Sequence, residues 1–505
     1  MPGMTDPVGY LRDKGYLGHM FVAGEWREPS GTDTSDVVNP ATEEVIAKVA
    51  MADRRDVDAA VAAARAAFEP WAATAPAERA DLLDGLRSIL LDRAELIAQA
   101  MSVEMGAAIS WARAAQVPFA IEHVRVAAEN VRSFEFLKMR GTTAIAREPV
   151  GVCALITPWN WPLYQITAKV APALAAGCTV VLKPSELAPL DAMLFAEAID
   201  AAGFPPGVFN LLVGSGVEVG EALSRHPQVD MVSITGSTRA GVLVSKAAAE
   251  TVKRVALELG GKSPNVILPD ADLETAVGAG VAACMRNVGQ SCSAPTRMIV
   301  PREHLREVEA IAARASAQLI VGDPADERTT HGPIANRAQF DRVQAMIRTG
   351  LDEGARLVCG GPGKPQGLEH GLFAQPTVFA DVSTDMTIAR EEIFGPVLVI
   401  IAYDTVEEAV AIANDTVYGL GAHVQGRDMA QVRMVASRIR SGQVHLNNPA
   451  WNPEAPFGGY KQSGNGREYG LEGIEEYLEV KAVVGYETAF HPEQDRLEAS
   501  ETSEL

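Results

Sequence analysis

The 505-residue sequence has no long apolar run, no surplus of basic residues and few cysteines. A membrane-spanning helix needs roughly 18 apolar residues, and Pro158, Asn160 and Pro162 interrupt the best candidate, residues 150–166. The 65 acidic residues outnumber the 44 basic ones, and the net charge of −21 excludes nucleic acid and anionic membranes as main partners. One local positive group can still hold a small anionic ligand.

Cysteine occurs five times, at positions 153, 178, 284, 292 and 359, without the paired spacing of a metal site. An odd, scattered set is typical of a reduced, cytoplasmic enzyme and not of a disulfide scaffold. The first residues lack the charged and apolar regions of a signal peptide, which also favours a cytoplasmic location. The nine histidines are dispersed, so we expect no metal. If one cysteine is reactive, we expect the other four to be small buried side chains.

From about residue 150, runs of β-branched residues alternate with Ala-rich helical segments. This alternation predicts an α/β fold with a doubly wound parallel sheet covered by helices on both faces. A second α/β block follows, from about 261 to 445. The first block has predicted strands at 150–156, 178–182, 208–213, 231–234 and 255–259. Because ligands bind beyond the carboxyl ends of such strands, we expect the site in the strand-to-helix turns.

Four of these turns carry unusual residues. Asn160, between two tryptophans and two prolines, is either an amide donor or a backbone cap. Lys183 and Glu186 either hold ribose hydroxyls or form a solvated helix start. The turn at 214–220 is one residue too long for the G-x-G-x-x-G spacing, whereas the turn at 235–241 opens a helix and suits a pyrophosphate. The two glycine-rich turns on successive strands together indicate a dinucleotide.

A carboxylate and a thiol follow further along the chain. Glu258 alternates with two leucines at a strand end, which makes it a candidate general base, with a structural ion pair as the alternative. Cys292 lies between two serines just past a helix end, whereas Cys284 belongs to the packed face of that helix. Small polar neighbours are typical of an accessible, ionisable thiol, so Cys292 is the candidate nucleophile.

These features, taken together, resemble the aldehyde dehydrogenase superfamily over roughly residues 20–486. Seven motifs in this order carry the resemblance: TPWNWPL, LKPSE, SITGSTRAG, LELGGKSP, GQSCSAPTR, EEIFGPV and PFGGYKQSG. The resemblance implies two Rossmann-like domains, NAD as the cofactor and oxidation of an aldehyde to the carboxylic acid. It also implies hydrolysis of a thioester on the enzyme by water.

The resemblance assigns roles to four candidate catalytic residues. Cys292 becomes the nucleophile, Glu258 the base that activates the hydrolytic water, and Asn160 the donor to the oxyanion. Lys169 corresponds to a lysine that helps proton transfer near the nucleophile, with a purely structural helix lysine as the alternative.

The resemblance also assigns a cofactor site. Lys183 and Glu186 correspond to residues that hold the adenosine ribose, Ser237 to a pyrophosphate contact, and Glu392 and Phe394 to the pair that positions the nicotinamide. Because a carboxylate accepts from a free 2′-hydroxyl and repels a 2′-phosphate, Glu186 predicts a preference for NAD over NADP. The full predicted set is Ile156, Thr157, Pro158, Trp159, Lys183, Ser185, Glu186, Gly216, Gly220, Gly236, Ser237, Leu259, Gly260, Glu392 and Phe394.

The substrate pocket is less defined by the sequence. The positions that correspond to the acyl site are Trp161, Tyr164, Gln165, Ala168, Arg286, Trp451 and Phe457. The aromatic residues among them favour an apolar or aromatic aldehyde. Ala168 and Arg286 stand where many relatives carry bulky aromatics, so the tunnel is wider or more polar here. Arg286 either binds a distant carboxylate or points to solvent.

The resemblance further divides the chain into domains and implies a homo-oligomer, a dimer or a tetramer. The tail carries five acids and one arginine, which predicts a solvated, flexible segment. The predicted division is an NAD-binding domain at 1–131 and 150–260, a catalytic domain at 261–460, an oligomerisation arm at 132–149 and 477–490, and an acidic tail at 491–505.

Two other functions remain open at this point. A CoA-acylating semialdehyde dehydrogenase would resolve the thioester with CoA, but relatives of that kind generally lack the glutamate found here as Glu258. A non-catalytic scaffold on the same fold would have no reason to keep Cys292, Glu258, Asn160 and Glu392 together.

Overall fold

The computed structural model describes residues 6–487, so the predicted tail at 491–505 and the end of the predicted arm lie outside the described residues. The helices are α1 Pro7–Asp13, α2 Arg54–Ala72, α3 Pro76–Asp92, α4 Ala94–Met105, α5 Ile109–Trp111, α6 Val117–Ser133, α7 Pro162–Ala176, α8 Leu190–Ala201, α9 Glu221–Arg225, α10 Thr238–Ala248, α11 Leu273–Met285, α12 Leu305–Ala317, α13 Arg337–Asp352, α14 Thr387–Arg390, α15 Val406–Asn414, α16 Met429–Arg438 and α17 Gly470–Glu475. The strands are β1 Met20–Val22, β2 Glu25–Arg27, β3 Thr34–Val38, β4 Val45–Ala50, β5 Leu137–Arg140, β6 Thr143–Pro149, β7 Val152–Ile156, β8 Thr179–Lys183, β9 Phe209–Leu211, β10 Met231–Thr235, β11 Arg254–Glu258, β12 Pro264–Ile267, β13 Arg297–Pro301, β14 Arg356–Cys359, β15 Thr377–Ala380, β16 Val397–Tyr403, β17 Gly421–Gln425, β18 Gln443–Leu446, β19 Gly464–Asn465 and β20 Leu478–Val483.

An eight-stranded sheet forms the first α/β unit, in the order β19-β11-β10-β7-β8-β9-β1-β2. Its five central strands are parallel, and β7, β8 and β10 are buried along their whole length. Strands buried on both faces account for the continuous apolar runs in the sequence. In this sheet β8 and β9 lie on one side of β7, and β10 and β11 lie on the other, so the strand order reverses at β7. This reversal confirms the predicted doubly wound fold.

A seven-stranded sheet forms the second unit, in the order β14-β15-β16-β13-β12-β17-β18. Every neighbouring pair is parallel except β14 with β15 at one edge. The two units meet where β11 ends at Glu258 and β12 begins at Pro264, so the chain between them crosses from one sheet to the other. The predicted domain boundaries around 260 stay a prediction.

A three-stranded antiparallel sheet, β20-β6-β5, corresponds to the predicted arm. The alternation at 478–484 predicts a half-buried strand, and this is wrong in one respect. Leu478 is buried, but Val480 is 57% and Val484 82% exposed, because nothing in the described chain covers that face. The predicted strand is therefore present, but its apolar face is exposed to solvent.

Three of the four other cysteines, Cys153, Cys178 and Cys284, are buried as predicted, but Cys359 is only half-buried because it ends the edge strand β14. The dispersed histidines also come together once. His423 and His445 stack across β17 and β18 with ring centroids 4.7 Å apart. Within residues 6–487, no group of three or more His, Cys, Asp or Glu side chains is arranged to hold a metal. The described helices include none with the length and apolarity of a membrane span.

Candidate active site

A groove of about 470 Å³ lies beyond the carboxyl ends of β7, β10 and β11, where the loop after α11 crosses them. This volume is within the usual range for a small-molecule or cofactor site. Ten of the predicted catalytic and cofactor residues line it: Pro158, Trp159, Asn160, Gly236, Ser237, Leu259, Gly260, Cys292, Glu392 and Phe394.

The other predicted cofactor residues do not line this groove. Ile156 ends β7 and Thr157 follows it, whereas Lys183 ends β8 and is followed by Ser185 and Glu186. Gly216 and Gly220 begin and end a π-helical turn before α9. The Lys183 ammonium donates to Glu186 Oε2 at 3.2 Å and to the Pro184 carbonyl oxygen at 2.8 Å. Burial lowers the pKa of Lys183, and the Glu186 carboxylate opposes that shift. A pair with this geometry can receive ribose hydroxyls.

Helix α10 points its amino terminus into the groove. Ser237 caps it, because its Oγ accepts from the backbone N–H of Ala240 at 3.2 Å. Free N–H groups and the helix dipole at such an end favour a phosphate group. The position of Gly236 and Ser237 therefore fits the pyrophosphate of a dinucleotide.

The inner end of the groove is built on close backbone contacts. A Cβ on Gly260 would lie 2.5 Å from Glu392 Oε2, and one on Gly261 would lie 2.2 Å from the Cys292 carbonyl oxygen. Only glycine fits such approaches. The Gly261 N–H donates to Glu392 Oε1 at 2.9 Å, and burial raises the pKa of Glu392 to about 7.

Two residues that the sequence analysis missed hold the segment of Glu392 and Phe394. Gln339 Nε2 donates to the backbone oxygens of Ile393 and Phe394 at 2.9 Å, and Arg342 donates to that of Glu392 at 2.8 Å. These hydrogen bonds stabilise the backbone at Phe394, whose φ of +59° is unfavourable for any residue other than glycine. Both lie in α13, and no motif marks them in the sequence.

A strained bend presents Cys292. Asn287, Val288 and Gly289 all have left-handed φ angles, and a Cβ on Gly289 would lie 2.1 Å from the Gly395 carbonyl oxygen. Asn287 stabilises the bend, because its Nδ2 donates to the carbonyl oxygens of Asn160 at 2.8 Å and Gln290 at 3.2 Å. The bend is therefore tied directly to the turn that carries Asn160.

Asn160 itself donates through Nδ2 to the Gln290 carbonyl oxygen at 2.9 Å. A carboxamide has two N–H donors and this bond uses one, so the other can serve an oxyanion at Cys292. Gln116, directly before α6, donates through Nε2 to Asn287 Oδ1 at 3.0 Å and so links α6 to the bend. Asn287 and Gln116 were not predicted, because their role depends on contacts across more than a hundred residues.

The Cys292 thiol, which the sequence predicts to be ionisable, lies in surroundings that oppose its ionisation. Burial raises the pKa of Cys292, and the carboxylates of Glu392, Glu258 and Glu468 raise it further. Burial has the largest effect, and the three carboxylates that add to it come from segments far from the two flanking serines in the sequence. The thiol therefore stays protonated until a positive charge or a base acts on it.

Glu258 is 3% exposed, and neither of its carboxylate oxygens has a hydrogen-bond partner among the described residues. Burial raises its pKa well above the usual value, followed by repulsion from Glu468, while Lys169 and Arg467 oppose the shift. A buried, unpartnered carboxylate with a raised pKa is suited to accept a proton from water. The alternative of a structural ion pair does not fit this environment.

Lys169 lies behind Glu258, in a buried ion pair with Glu468 that sequence analysis did not find. Its ammonium contacts Glu468 Oε1 and donates to Ser233 Oγ at 3.0 Å. Lys169 and Glu468 are 299 positions apart in the chain, and neither alone signals the other. The pair connects α7 to the segment before α17, and it sets the field that Glu258 experiences.

We expect Lys169→Met to lower the free energy of unfolding by about 3–5 kcal/mol, because it leaves the Glu468 carboxylate buried without a partner. Glu468→Leu should also lower the free energy of unfolding, because it leaves the Lys169 ammonium buried without its partner. The double variant Lys169→Met/Glu468→Leu should cost clearly less than the sum of the single changes. Urea unfolding of all four proteins measures this, and additive losses would contradict the pairing.

Aromatic side chains cover the other side of Cys292 and form what we call the aromatic wall: Phe119, Trp161, Tyr164, Trp451, Phe457 and Tyr469. Tyr164, Phe457, Tyr469 and the buried Ala168 form one apolar cluster with Cys292. Trp161 Nε1 donates to Ser291 Oγ at 2.8 Å, which holds the wall against the nucleophile loop. Four of the seven predicted pocket positions belong to this wall, and two others, Gln165 and Ala168, are buried.

Arg286 does not enter the Cys292 cluster. It is solvent-exposed, and its guanidinium lies 5.3 Å from the ring centroid of Trp111. Trp111 in turn meets Trp161 edge-on at 6.1 Å. This position favours the second of the two roles predicted for Arg286, that of a side chain pointing to solvent.

A nucleotide groove on a doubly wound sheet is lined by a cysteine that feels the charge of the buried, unpartnered Glu258. These features define a dehydrogenase that works through a nucleophile. The aldehyde dehydrogenase family model matches residues 26–483, and the chain belongs to that family. It is an NAD-dependent aldehyde dehydrogenase, which confirms the resemblance, the enzyme class and the cofactor predicted from the sequence.

Three relatives illustrate the similarity. A 3-succinoylsemialdehyde-pyridine dehydrogenase of a Pseudomonas species is 54% identical over 468 residues, 92% of this chain and 98% of that protein. The structure of a mutant of aldehyde dehydrogenase C from Pseudomonas syringae, complexed with NAD+ and octanal, has a TM-score of 0.94 and 65% identity, and covers 94% of this chain and 98% of that one. An aldehyde dehydrogenase of Mycobacterium tuberculosis complexed with NAD+ has a TM-score of 0.91 and 43% identity, with 93% and 98% coverage.

Proposed function

We propose that this enzyme oxidises apolar or aromatic aldehydes to their carboxylic acids through an acyl group carried on Cys292, which water activated by Glu258 then hydrolyses. The observation that carries the proposal is the position of Cys292. Cys292 lines the NAD groove and also packs against the aromatic wall. One sulfur can therefore hold an acyl group between a cofactor and an apolar surface.

The residues support the following order of steps. The Cys292 thiol loses its proton to solvent and its sulfur attacks the aldehyde carbon. The resulting oxyanion accepts hydrogen bonds from Asn160 Nδ2 and the Cys292 backbone N–H. Such a preorganised donor is worth on the order of 10²–10³ in rate. Bound NAD supplies the hydride acceptor. The thioester left on Cys292 is attacked by water whose proton goes to Glu258, and the carboxylic acid leaves with the thiol restored.

The raised pKa of the Cys292 thiol indicates when the reaction can begin. Burial and the surrounding carboxylates raise the pKa of Cys292, so the sulfur rests protonated beside Glu258. A cationic ring in the groove would offset those negative charges. The thiolate would then form chiefly when the groove is filled, which limits side reactions of a free thiolate.

The aromatic wall supports the substrate class. Its rings form the apolar surroundings of Cys292 on this side, and Arg286, the one cation at the predicted pocket positions, is solvent-exposed. The relative crystallised with octanal and the relative named for a pyridine semialdehyde both concern aldehydes with a large apolar or aromatic part. A small dicarboxylate semialdehyde fits this surface less well.

A panel of aliphatic, aromatic and dicarboxylate semialdehydes, measured with NAD at fixed pH, tests this proposal. We expect NADH and free acid without added CoA, and higher kcat/KM for the aliphatic and aromatic members. Acid formation that requires CoA would favour the CoA-acylating alternative, which the buried base Glu258 argues against. A preference for the dicarboxylate semialdehydes would contradict the proposed substrate class.

We expect NADP to be used at least about 100-fold less efficiently than NAD, because a 2′-phosphate beside the Glu186 carboxylate places like charges together. Glu186→Gln should narrow the gap by removing that repulsion. Glu25→Gln, which makes the same charge change at an exposed position in β2, should leave the ratio unchanged. The ratio of kcat/KM values for the two cofactors measures this, and comparable wild-type values would contradict it.

The exposed apolar face of β20 supports a homo-oligomer, a dimer or a tetramer. Val480, Val484 and Tyr486 are 57%, 82% and 54% exposed, and an uncovered strand of this kind needs a partner. Sedimentation that shows only monomer would contradict the proposal. The cytoplasmic location stays a prediction.

A further inference from the structure

His123, on α6, lies among the rings of the aromatic wall and was not singled out in the sequence. It is 3% exposed, and its Nε2 has no hydrogen-bond partner among the described residues. Its ring centroid lies 4.5 Å from that of Tyr164, 4.3 Å from that of Tyr469 and 5.7 Å from that of Trp451. A polar atom is costly to bury without a partner, so this nitrogen calls for a function.

The imidazole is uncharged at neutral pH. Burial lowers the pKa of His123 to about 3, and a neutral imidazole offers one N–H donor and one acceptor. It is therefore unsuited to hold a carboxylate as an ion pair. It is suited to a neutral polar atom.

His123 is also close to the reacting centre. Tyr164 and Tyr469 belong to the Cys292 cluster, and both rings contact His123, so the imidazole lies beside the rings that surround the sulfur. A substrate with its aldehyde carbon at Cys292 would bring the group beyond a short carbon spacer to the level of His123.

We propose that His123 is a specificity-determining residue that hydrogen-bonds a neutral polar atom in or beside an aromatic ring of the substrate, such as a ring nitrogen or a ketone oxygen. Heteroaryl and aryl-keto aldehydes are then better substrates than phenyl aldehydes of the same length. This inference rests on the proposed acyl site and goes beyond it, because a purely apolar wall gives the opposite order. There, a ring nitrogen would lose its water without replacement and the phenyl compound would be preferred.

The matched substrates are a pyridylpropanal and the phenylpropanal of the same length, each measured with saturating NAD. For the wild type we expect kcat/KM about fivefold to tenfold higher for the pyridyl compound, the effect of one hydrogen bond, expressed mainly in KM. His123→Phe keeps an aromatic ring in the wall and should abolish or reverse the preference. His123→Asn, which restores a donor and an acceptor, should recover part of it.

Phe119→Leu is the matched control. Phe119 stacks on Trp451 at 4.3 Å, so its loss loosens the wall without removing the imidazole. It should change both kcat/KM values alike and keep their ratio. A merely structural His123 would behave in the same way as Phe119.

The wild-type ratio tests the inference even if His123→Phe does not fold. Equal values, or a preference for phenylpropanal, would overturn it while leaving the proposed function intact. A pyridyl preference that survives in folded His123→Phe would also overturn it, because another atom would then be responsible. If neither aldehyde yields NADH and acid, the proposed function itself fails.

Discussion

Cys292→Ala is expected to abolish aldehyde oxidation while NAD still binds. Removing the nucleophile of a covalent enzyme costs on the order of 10⁶ in kcat, because no other group can form the acyl intermediate. The groove should survive the change, since its lining comes mostly from turns that the sulfur does not support. NADH formation measures the activity, and quenching of the Trp159 indole in the groove measures binding of NAD.

Cys359→Ala is the matched control for this prediction. Cys359 is the other half-buried cysteine, at the end of β14, and it does not line the groove. The control should oxidise aldehydes as the wild type does. Residual oxidation by Cys292→Ala above about a hundredth of the wild-type rate would contradict the role of Cys292.

The backbone of the site was predictable because its residues lie at the ends of strands. Asn160, Glu258 and Ser237 each follow an apolar run, and the carboxyl ends of parallel strands meet at one edge of a sheet. The alternation of strands and helices therefore predicts that these side chains lie at one edge of the sheet. The doubly wound fold followed from the same pattern.

The electrostatics of the site were not predictable, because they depend on residues far apart in sequence. Glu392 and Glu468 are 100 and 176 positions from Cys292 and act on it only in the folded chain. The local sequence predicts an ionisable thiol, whereas burial and these carboxylates raise the pKa of Cys292. His123 lies on the apolar face of α6, where its position in the sequence is typical of a core residue. The exposure of the apolar face of β20 was likewise not predictable. Alternation distinguishes the two faces of a strand, but it does not indicate what covers each face.

Glu258→Gln is expected to let the acyl group form on Cys292 and to slow its hydrolysis by about 10²–10⁴-fold, the usual contribution of a general base. Glutamine is close in size to glutamate and fits the buried site, but its amide cannot take the proton from water. Rapid mixing with aldehyde and NAD should show a burst of NADH of about one equivalent per active site, followed by a slow steady state. Mass spectrometry should find the protein heavier by the acyl group.

The pH dependence gives a second, independent readout of Glu258. Burial and then repulsion from Glu468 raise the pKa of Glu258, so its carboxyl is protonated at a higher pH than usual and the base is lost as pH falls through that raised pKa. Wild-type kcat should therefore fall on the acid side, and Glu258→Gln should lose that limb. Because Lys169 lowers the pKa of Glu258, Lys169→Met should move the limb to higher pH. A Glu258→Gln enzyme with normal turnover and an unchanged acid limb would show that another group activates the water.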